Sequence, residues 1–350
     1  RAIRAEYPRR SLVFLDVLYG VLPLFFVMLI GYAASHAPKF PASVEPALNV
    51  FVFYVALPAL LYKVVARADI SDGVPFAFLW ISIVSALVFA LISWLAFRYL
   101  LRADRARALA GMLATSFGNV SYLGIPIVLG VMGTEAGFAA GMGQLVHNII
   151  FMVGFPILAQ IVLPHAGGGE HKASAARIAR TVRNALVCSP VTWAMLVGGA
   201  VAIFAVPVPQ PVDDTIDLVA AAAAPGALFV IGMSLKRTID RARSRRRAPA
   251  ATDGTAPAAR WAKISIATMV VGKLVAFPVL VVAMLLAFAP ELDRIWFNSA
   301  VLMAAMPVSA TAYIMAQNDT GDGEPTAVAI VITCVLSVIA LPVLAQLALK

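Results

Sequence analysis

No acidic side chain of this chain falls in the middle of a hydrophobic run. All 18 Asp and Glu lie between such runs or in a terminal turn, as Asp16, Glu45 and Asp217 do. Carriers driven by protons or sodium often bury a carboxylate to hold the cation, because a charge at membrane depth is costly and is kept for function. Any coupling to H+ or Na+ must therefore use carbonyls, hydroxyls, amides or the membrane potential. Charges of both signs are scarce, at 13% of 350 residues, against about 25% in soluble domains. Cysteine is scarcer: Cys188 and Cys334 both fall in apolar windows, which argues against a disulfide framework and a cysteine metal cluster. No cofactor or metal is expected. The longest polar stretch is 238–259, so no soluble domain is left over.

What is present is apolar. Hydrophobic residues make up 61% of the chain and the mean hydropathy is +0.90. Windows of about 17–25 apolar residues, enough to span a bilayer, recur ten times: 13–34, 44–65, 75–98, 107–131, 136–163, 185–206, 215–236, 261–288, 295–316 and 325–348. The expected fold is an all-α integral membrane protein of ten transmembrane helices. The formal charge of +9 is not a nucleic-acid signature, because 18 of the 27 Lys and Arg lie in the loops that follow odd-numbered windows. The positive-inside rule makes those loops cytoplasmic and puts both termini on the outer side of a bacterial inner membrane. The run Arg241–Arg247 then lies near anionic headgroups. Residues 1–12 are read as an N-terminal extension. Arg9-Arg10 before an apolar run faintly resembles a twin-arginine signal, but the stretch from Val13 is too long for a signal core.

Two windows are interrupted at their centres. The fourth carries Ser116-Phe117-Gly118-Asn119-Val120-Ser121, and the ninth carries Met306-Pro307-Val308-Ser309-Ala310-Thr311. In a bilayer each freed backbone group costs several kcal/mol unless protein or a water-filled cavity satisfies it. Paired interrupted helices in the two halves of a transporter mark the substrate site. Gly118 lies 17 residues before Glu135, and Pro307 lies 17 before Glu324. Windows 2 and 7 each carry a proline, Pro58 or Pro225, followed four residues on by Tyr62 or Phe229. These spacings predict two units of five helices, 13–163 and 185–350, joined by a cytoplasmic linker at 164–184. Five is odd, so the second unit enters from the opposite side and the repeat is inverted.

Pseudosymmetry then makes windows 4 and 9 cross near the midplane, where half-helix N-termini offer N–H groups and partial positive charge to a carboxylate. Gly118, Asn119, Ser116, Ser121, Pro307, Val308, Ser309 and Thr311 are the candidate ligands. The alternative is a pair of ordinary kinks satisfied by neighbouring helices. Lys273, at the centre of window 8, either balances an anionic substrate or pins the carbonyl end of a broken helix; snorkelling to the surface is the bland reading. His147 is either a proton relay or a hydrogen-bonded bundle histidine. Asn49 and Gln144 are either walls of the site or polar glue between helices.

Asn119 followed after four residues by Gly124-Ile125-Pro126 resembles the helix-4 signature of the auxin efflux carrier family, which includes the plant PIN-FORMED proteins and many bacterial carriers. Ala304-Ala305-Met306-Pro307 followed by Ala316-Gln317 is similar to its helix-9 counterpart. Asn49 through Pro58-Ala59-Leu60 resembles its helix 2, and Pro225 through Phe229 its helix 7. The resemblance covers essentially the whole chain. It implies a bile-acid sodium symporter-like inverted repeat, with helices 1, 2, 6 and 7 as a scaffold that forms a homodimer. Helices 3–5 and 8–10 become a transport domain that moves like an elevator. It makes Asn119 the substrate ligand, Pro307 the helix-9 break and Asn49 a scaffold-side contact. Plant members have a proline where this chain has Gly118, which weakens the case for a plant hormone. The Met306–Tyr313 stretch resembles malonate or malate permeases.

The expected function is therefore secondary transport of a small organic anion. The alternatives are a carrier of an auxin-like aromatic carboxylate and a membrane sensor that binds without translocating. An intramembrane enzyme would need paired aspartates, a Ser/Lys or Ser/His pair, or a metal cluster at membrane depth; the buried carboxylates are missing and His147 has no evident partner.

Overall fold

The computed structural model describes residues 10–68, 73–163, 179–180, 182–183, 188–247, 256–321 and 323–348. Most of the 1–12 extension and most of the 164–184 linker lie outside them. The described residues form helices and contain no strand beyond one isolated bridge. In order these are α1 (Arg10–Ala34), α2 (Val44–Ala66), α3 (Phe76–Leu100), α4 (Arg105–Ser116), α5 (Val120–Met132) and α6 (Thr134–Val162). There follow α7 (Pro190–Ile203), α8 (Gln210–Asp240), α9 (Arg260–Phe288), α10 (Arg294–Ala304), α11 (Ala310–Thr320) and α12 (Glu324–Leu347).

Seven of these, α1, α2, α3, α6, α8, α9 and α12, are long and apolar enough to cross a membrane. The remaining three windows fold as shorter pieces. Window 4 divides into α4 and α5, and window 9 into α10 and α11. The described residues of window 6 contain α7, whose first residue is Pro190 and whose N-terminus is capped by the Ser189 hydroxyl on the Thr192 N–H.

Proline shapes the long helices from inside. A proline lacks an N–H and crowds the carbonyl four residues back. Widened π turns sit just ahead of several: Val52–Ala56 before Pro58, Ile149–Val153 before Pro156, and Gly272–Ala276 before Pro278. Val120–Gly124, opening α5, precedes Pro126 in the same way. The wider turn relieves the crowding without ending the helix. Lys273 lies in one of these turns.

Two apolar cores form. One gathers residues of α1, α2, α7 and α8 around Val120–Val128 of α5. The other gathers α3, α4, α9, α10, α11 and α12 around the second half of α6, with Phe97, Phe117, Phe155 and Phe297 among its largest buried side chains. Within the first, α1 and α8 touch backbone to backbone. A Cβ on Gly31 would collide with the Phe229 carbonyl, and one on Gly232 with the Met28 carbonyl. Lipid tails are as apolar as side chains, so close backbone packing is a principal source of helix association.

Two acidic residues depart from the expectation that they sit in terminal turns. α8 starts at Gln210, with Pro211 in its first turn, so Asp217 lies two turns inside the helix. Its charge is met by Lys63 at 2.9 Å and Arg67 at 2.8 Å, while Arg67 also reaches Asp213 at 2.7 Å. Asp16 falls inside α1 for a similar reason, because that helix already begins at Arg10.

Candidate functional site

The two breaks meet. α4 stops at Ser116 because Phe117 turns extended (φ −86°, ψ 102°), and α10 stops at Ala304. Phe117–Asn119 and Pro307–Ser309 then run antiparallel. The Asn119 N–H donates to the Pro307 carbonyl at 2.8 Å, and the Ser309 N–H donates to the Phe117 carbonyl at 3.0 Å. Gly118 and Val308 face each other in the single bridge between them. A two-bond ladder therefore replaces helical hydrogen bonds at the point where both helices are open.

The rest of the break is satisfied from neighbouring helices. Gly118 N–H donates to His147 Nε2 at 3.1 Å, from α6, and Val308 N–H donates to Thr333 Oγ1 at 3.2 Å, from α12. Lys273 Nζ donates to the Ala304 carbonyl at 2.9 Å, closing the C-terminal end of α10. Asn119 Oδ1 accepts from the Tyr122 N–H at 3.3 Å, and Ser309 Oγ from the Thr311 N–H at 3.2 Å, so each caps the half-helix it precedes. This narrows the picture of bare half-helix N-termini. Buried backbone donors rarely stay unpaired, and here most are consumed internally. Among the described residues no acceptor is found for the N–H groups of Ser121 and Ala310.

Asn119 is 6% exposed. Its side-chain oxygen is used as a cap, and its amide nitrogen has no acceptor among the described residues. Beside it Ser121 Oγ accepts from Gln144 Nε2 at 3.1 Å and Asn148 Nδ2 at 3.2 Å. The Tyr122 hydroxyl donates to Asn49 Oδ1 at 2.8 Å, tying α5 to α2. A cavity of about 270 Å³ opens next to this cluster, walled by Gln144, Asn148, Phe53, Tyr54, Ser189 and Thr192. A larger one of about 580 Å³ lies at the C-terminal end of α2 and the N-terminal end of α6, beside Lys63, Arg67, Glu135, Asp293 and Trp296.

The sequence-derived residues therefore separate by place. Gly118, Asn119, Pro307, Val308 and Ser309 form the crossing itself, with His147 and Lys273 bonded to its backbone. Ser121, Gln144 and Asn49 belong to the adjoining polar cluster. Ser116 is fully buried with its hydroxyl unpartnered, and Thr311 contributes its N–H to the Ser309 cap. Nε2 of His147 is committed to Gly118, and its ring packs against Phe117, Phe151 and Phe277. Of the two roles open for it, the hydrogen-bonded one is occupied.

Sequence reasoning missed Thr333, Asn148 and Tyr122. Thr333 had a legible signal, a hydroxyl in an otherwise apolar run in the window after a break. Asn148 stands beside His147, an amide in a largely apolar window. Tyr122 gave none, since an aromatic residue in an apolar stretch reads as packing.

A helical membrane protein built around two interrupted helices that cross through their backbones belongs, by architecture, among the membrane transporters. The chain is a member of the membrane transport protein family, the auxin efflux carriers, whose profile matches residues 16–345. It is 29% identical over 319 residues to the "Putative malonate transporter" of Rhizobium meliloti (strain 1021), covering 91% of each chain. It is 24% identical over 338 residues to an uncharacterized transporter of Methanothermobacter thermautotrophicus, covering 95% of this chain and 98% of that one. The uncharacterized transporter YfdV of Escherichia coli (strain K12) is 24% identical over 222 residues, which is 61% of this chain and 67% of that protein. The family and these relatives are transporters and not enzymes.

Proposed function

We propose that this protein is a secondary carrier of a small organic anion, a mono- or dicarboxylate such as malonate or malate, bound where the two interrupted windows cross. One observation carries the reading. Asn119 is fixed by its N–H to Pro307 and its side-chain oxygen to Tyr122, while its amide nitrogen has no acceptor among the described residues. A hydrogen bond from a free donor of this kind to a charged carboxylate contributes about 1.5–3 kcal/mol. The starts of α5 and α11 add partial positive charge. Drug-sized ligands occupy cavities of about 300–1,000 Å³, so the 270 Å³ cavity beside Ser121 suits a smaller molecule. The name of the Rhizobium relative supports malonate.

In this reading the chain is an inverted pair of five-span units. Windows 1, 2, 6 and 7 form a dimerising scaffold, and windows 3–5 and 8–10 move as an elevator. In support, each break has its freed N–H capped from the window that follows it, by His147 in one unit and Thr333 in the other. The Lys and Arg distribution supports an inner-membrane location with both termini outside and the loops after windows 5 and 7 cytoplasmic.

The test is counterflow in proteoliposomes with labelled malonate, malate, lactate and indole acetate, with and without imposed H+ and Na+ gradients. Malonate or malate is expected to exchange. Binding without flux would make the protein a sensor, and preference for indole acetate would restore the auxin-like alternative.

A further inference from the structure

Among the described residues Lys273 is the one charged side chain that is buried, at 0% exposure. It does not snorkel. Its Nζ donates to the Ala304 carbonyl at 2.9 Å and sits 4.5 Å from the centre of the Phe277 ring. Both contacts favour an ammonium: the carbonyl closes the negative end of α10, and a ring face attracts a cation. From the break after α4 the backbone of Gly118 lies against it, with Cε and Nζ each 2.9 Å from where a Cβ would stand. From α6 the nearby titratable group is His147, whose Nε2 lone pair is already engaged by Gly118. No Asp or Glu is among the buried residues.

We propose that Lys273 is a resident counter-charge of the crossing: it moves with the crossing and offsets one negative charge of the substrate in transit, so that membrane voltage acts on the empty carrier. This rests on the elevator reading above. A positive charge fixed between α9, α10 and α4 crosses part of the field whenever those helices shift together. The empty carrier then moves one positive charge, and the malonate-loaded carrier moves one negative charge fewer than malonate itself bears. No bound cation is needed to do this.

The substrate-free protein provides the test. Cys188 is exposed and lines the 270 Å³ cavity, whereas Cys334 is buried. In proteoliposomes, a membrane-impermeant maleimide added outside reports those molecules whose Cys188 mouth faces the bath. Potentials are set with valinomycin and K+ gradients. For one charge crossing the full field, a tenfold K+ gradient shifts the ratio of the two carrier states by up to about tenfold. Cys188 labelling is expected to quicken when the bath is negative and slow when it is positive. Lys273→Arg keeps that response and Lys273→Met abolishes it.

Wild-type labelling that ignores voltage overturns the proposal, as does a Lys273→Met variant that responds like the wild type. The wild-type result decides even if the Met variant does not fold. Malonate exchange is measured in the same vesicles. Exchange present without a voltage response sinks the counter-charge alone, whereas absence of exchange sinks the carrier reading and the counter-charge with it.

Discussion

Gly118 and Lys273 compete for one space. A methyl group on Gly118 would stand 2.9 Å from both Cε and Nζ of Lys273, and 3.2 Å from the Met306 carbonyl. The backbone at Gly118 does not have positive φ, so glycine is needed here for room and not for conformation. Overpacking of this kind costs about 1–3 kcal/mol. Gly118→Ala is expected to lower the melting temperature in detergent and to reduce malonate exchange. Shortening the neighbour should relieve part of the strain, making Gly118→Ala/Lys273→Ala less unstable than the sum of its single variants. Additivity in that double-mutant cycle would show that the two side chains do not interact.

His147 and Thr333 hold the two breaks by accepting one N–H each. His147→Leu leaves the Gly118 N–H unpaired, and Thr333→Val does the same to Val308. Each loss is expected to cost about 1–3 kcal/mol, read as a lower melting temperature. Thr333→Ser retains the hydroxyl and should melt close to the wild type. Equal stability of the Val and Ser variants would mean that the bond contributes nothing.

Asn119→Ala removes the cap on Tyr122, worth about 1 kcal/mol, and the free amide donor. A hydrogen bond to a charged group contributes about 1.5–3 kcal/mol, so malonate exchange should fall by at least about tenfold while the purified protein stays monodisperse. Exchange at the wild-type rate would remove Asn119 from the site.

The contact between α1 and α8 has no slack. Gly232→Ala inserts a carbon against the Met28 carbonyl and the Tyr32 nitrogen, both backbone atoms that cannot rotate away. It should reduce the yield of folded protein more than Gly154→Ala, because Gly154 has no atom within 4 Å of the position a Cβ would take. Size-exclusion profiles of the two variants, side by side, check this.

Much of the fold was legible in the sequence because hydropathy is a property of short windows. The apolar windows, the absence of buried acids among the described residues and the interruptions at Gly118 and Pro307 all follow from local composition. The two breaks also meet, as the equal spacings from Gly118 to Glu135 and from Pro307 to Glu324 predict. The boundaries were less legible. The sequence predicts Asp217 in a terminal turn, whereas α8 begins earlier and Asp213 and Asp217 are paired with Lys63 and Arg67 on α2. No local pattern announces an ion pair between distant helices. The supply of free donors at the crossing is smaller than the sequence predicts for the same reason, since the Gly118 and Val308 N–H groups find their acceptors on α6 and α12.

By itself, then, the amino-acid order determined a membrane protein with two helices that cannot run unbroken, because a proline or a glycine-asparagine pair acts on its own few neighbours. Only the tertiary structure decided which groups close those breaks. Gly118 with His147, Val308 with Thr333 and Ala304 with Lys273 are partnerships between segments far apart in the chain. A hydrogen bond is chosen by what lies within about 3 Å in space, a distance that sequence separation does not encode.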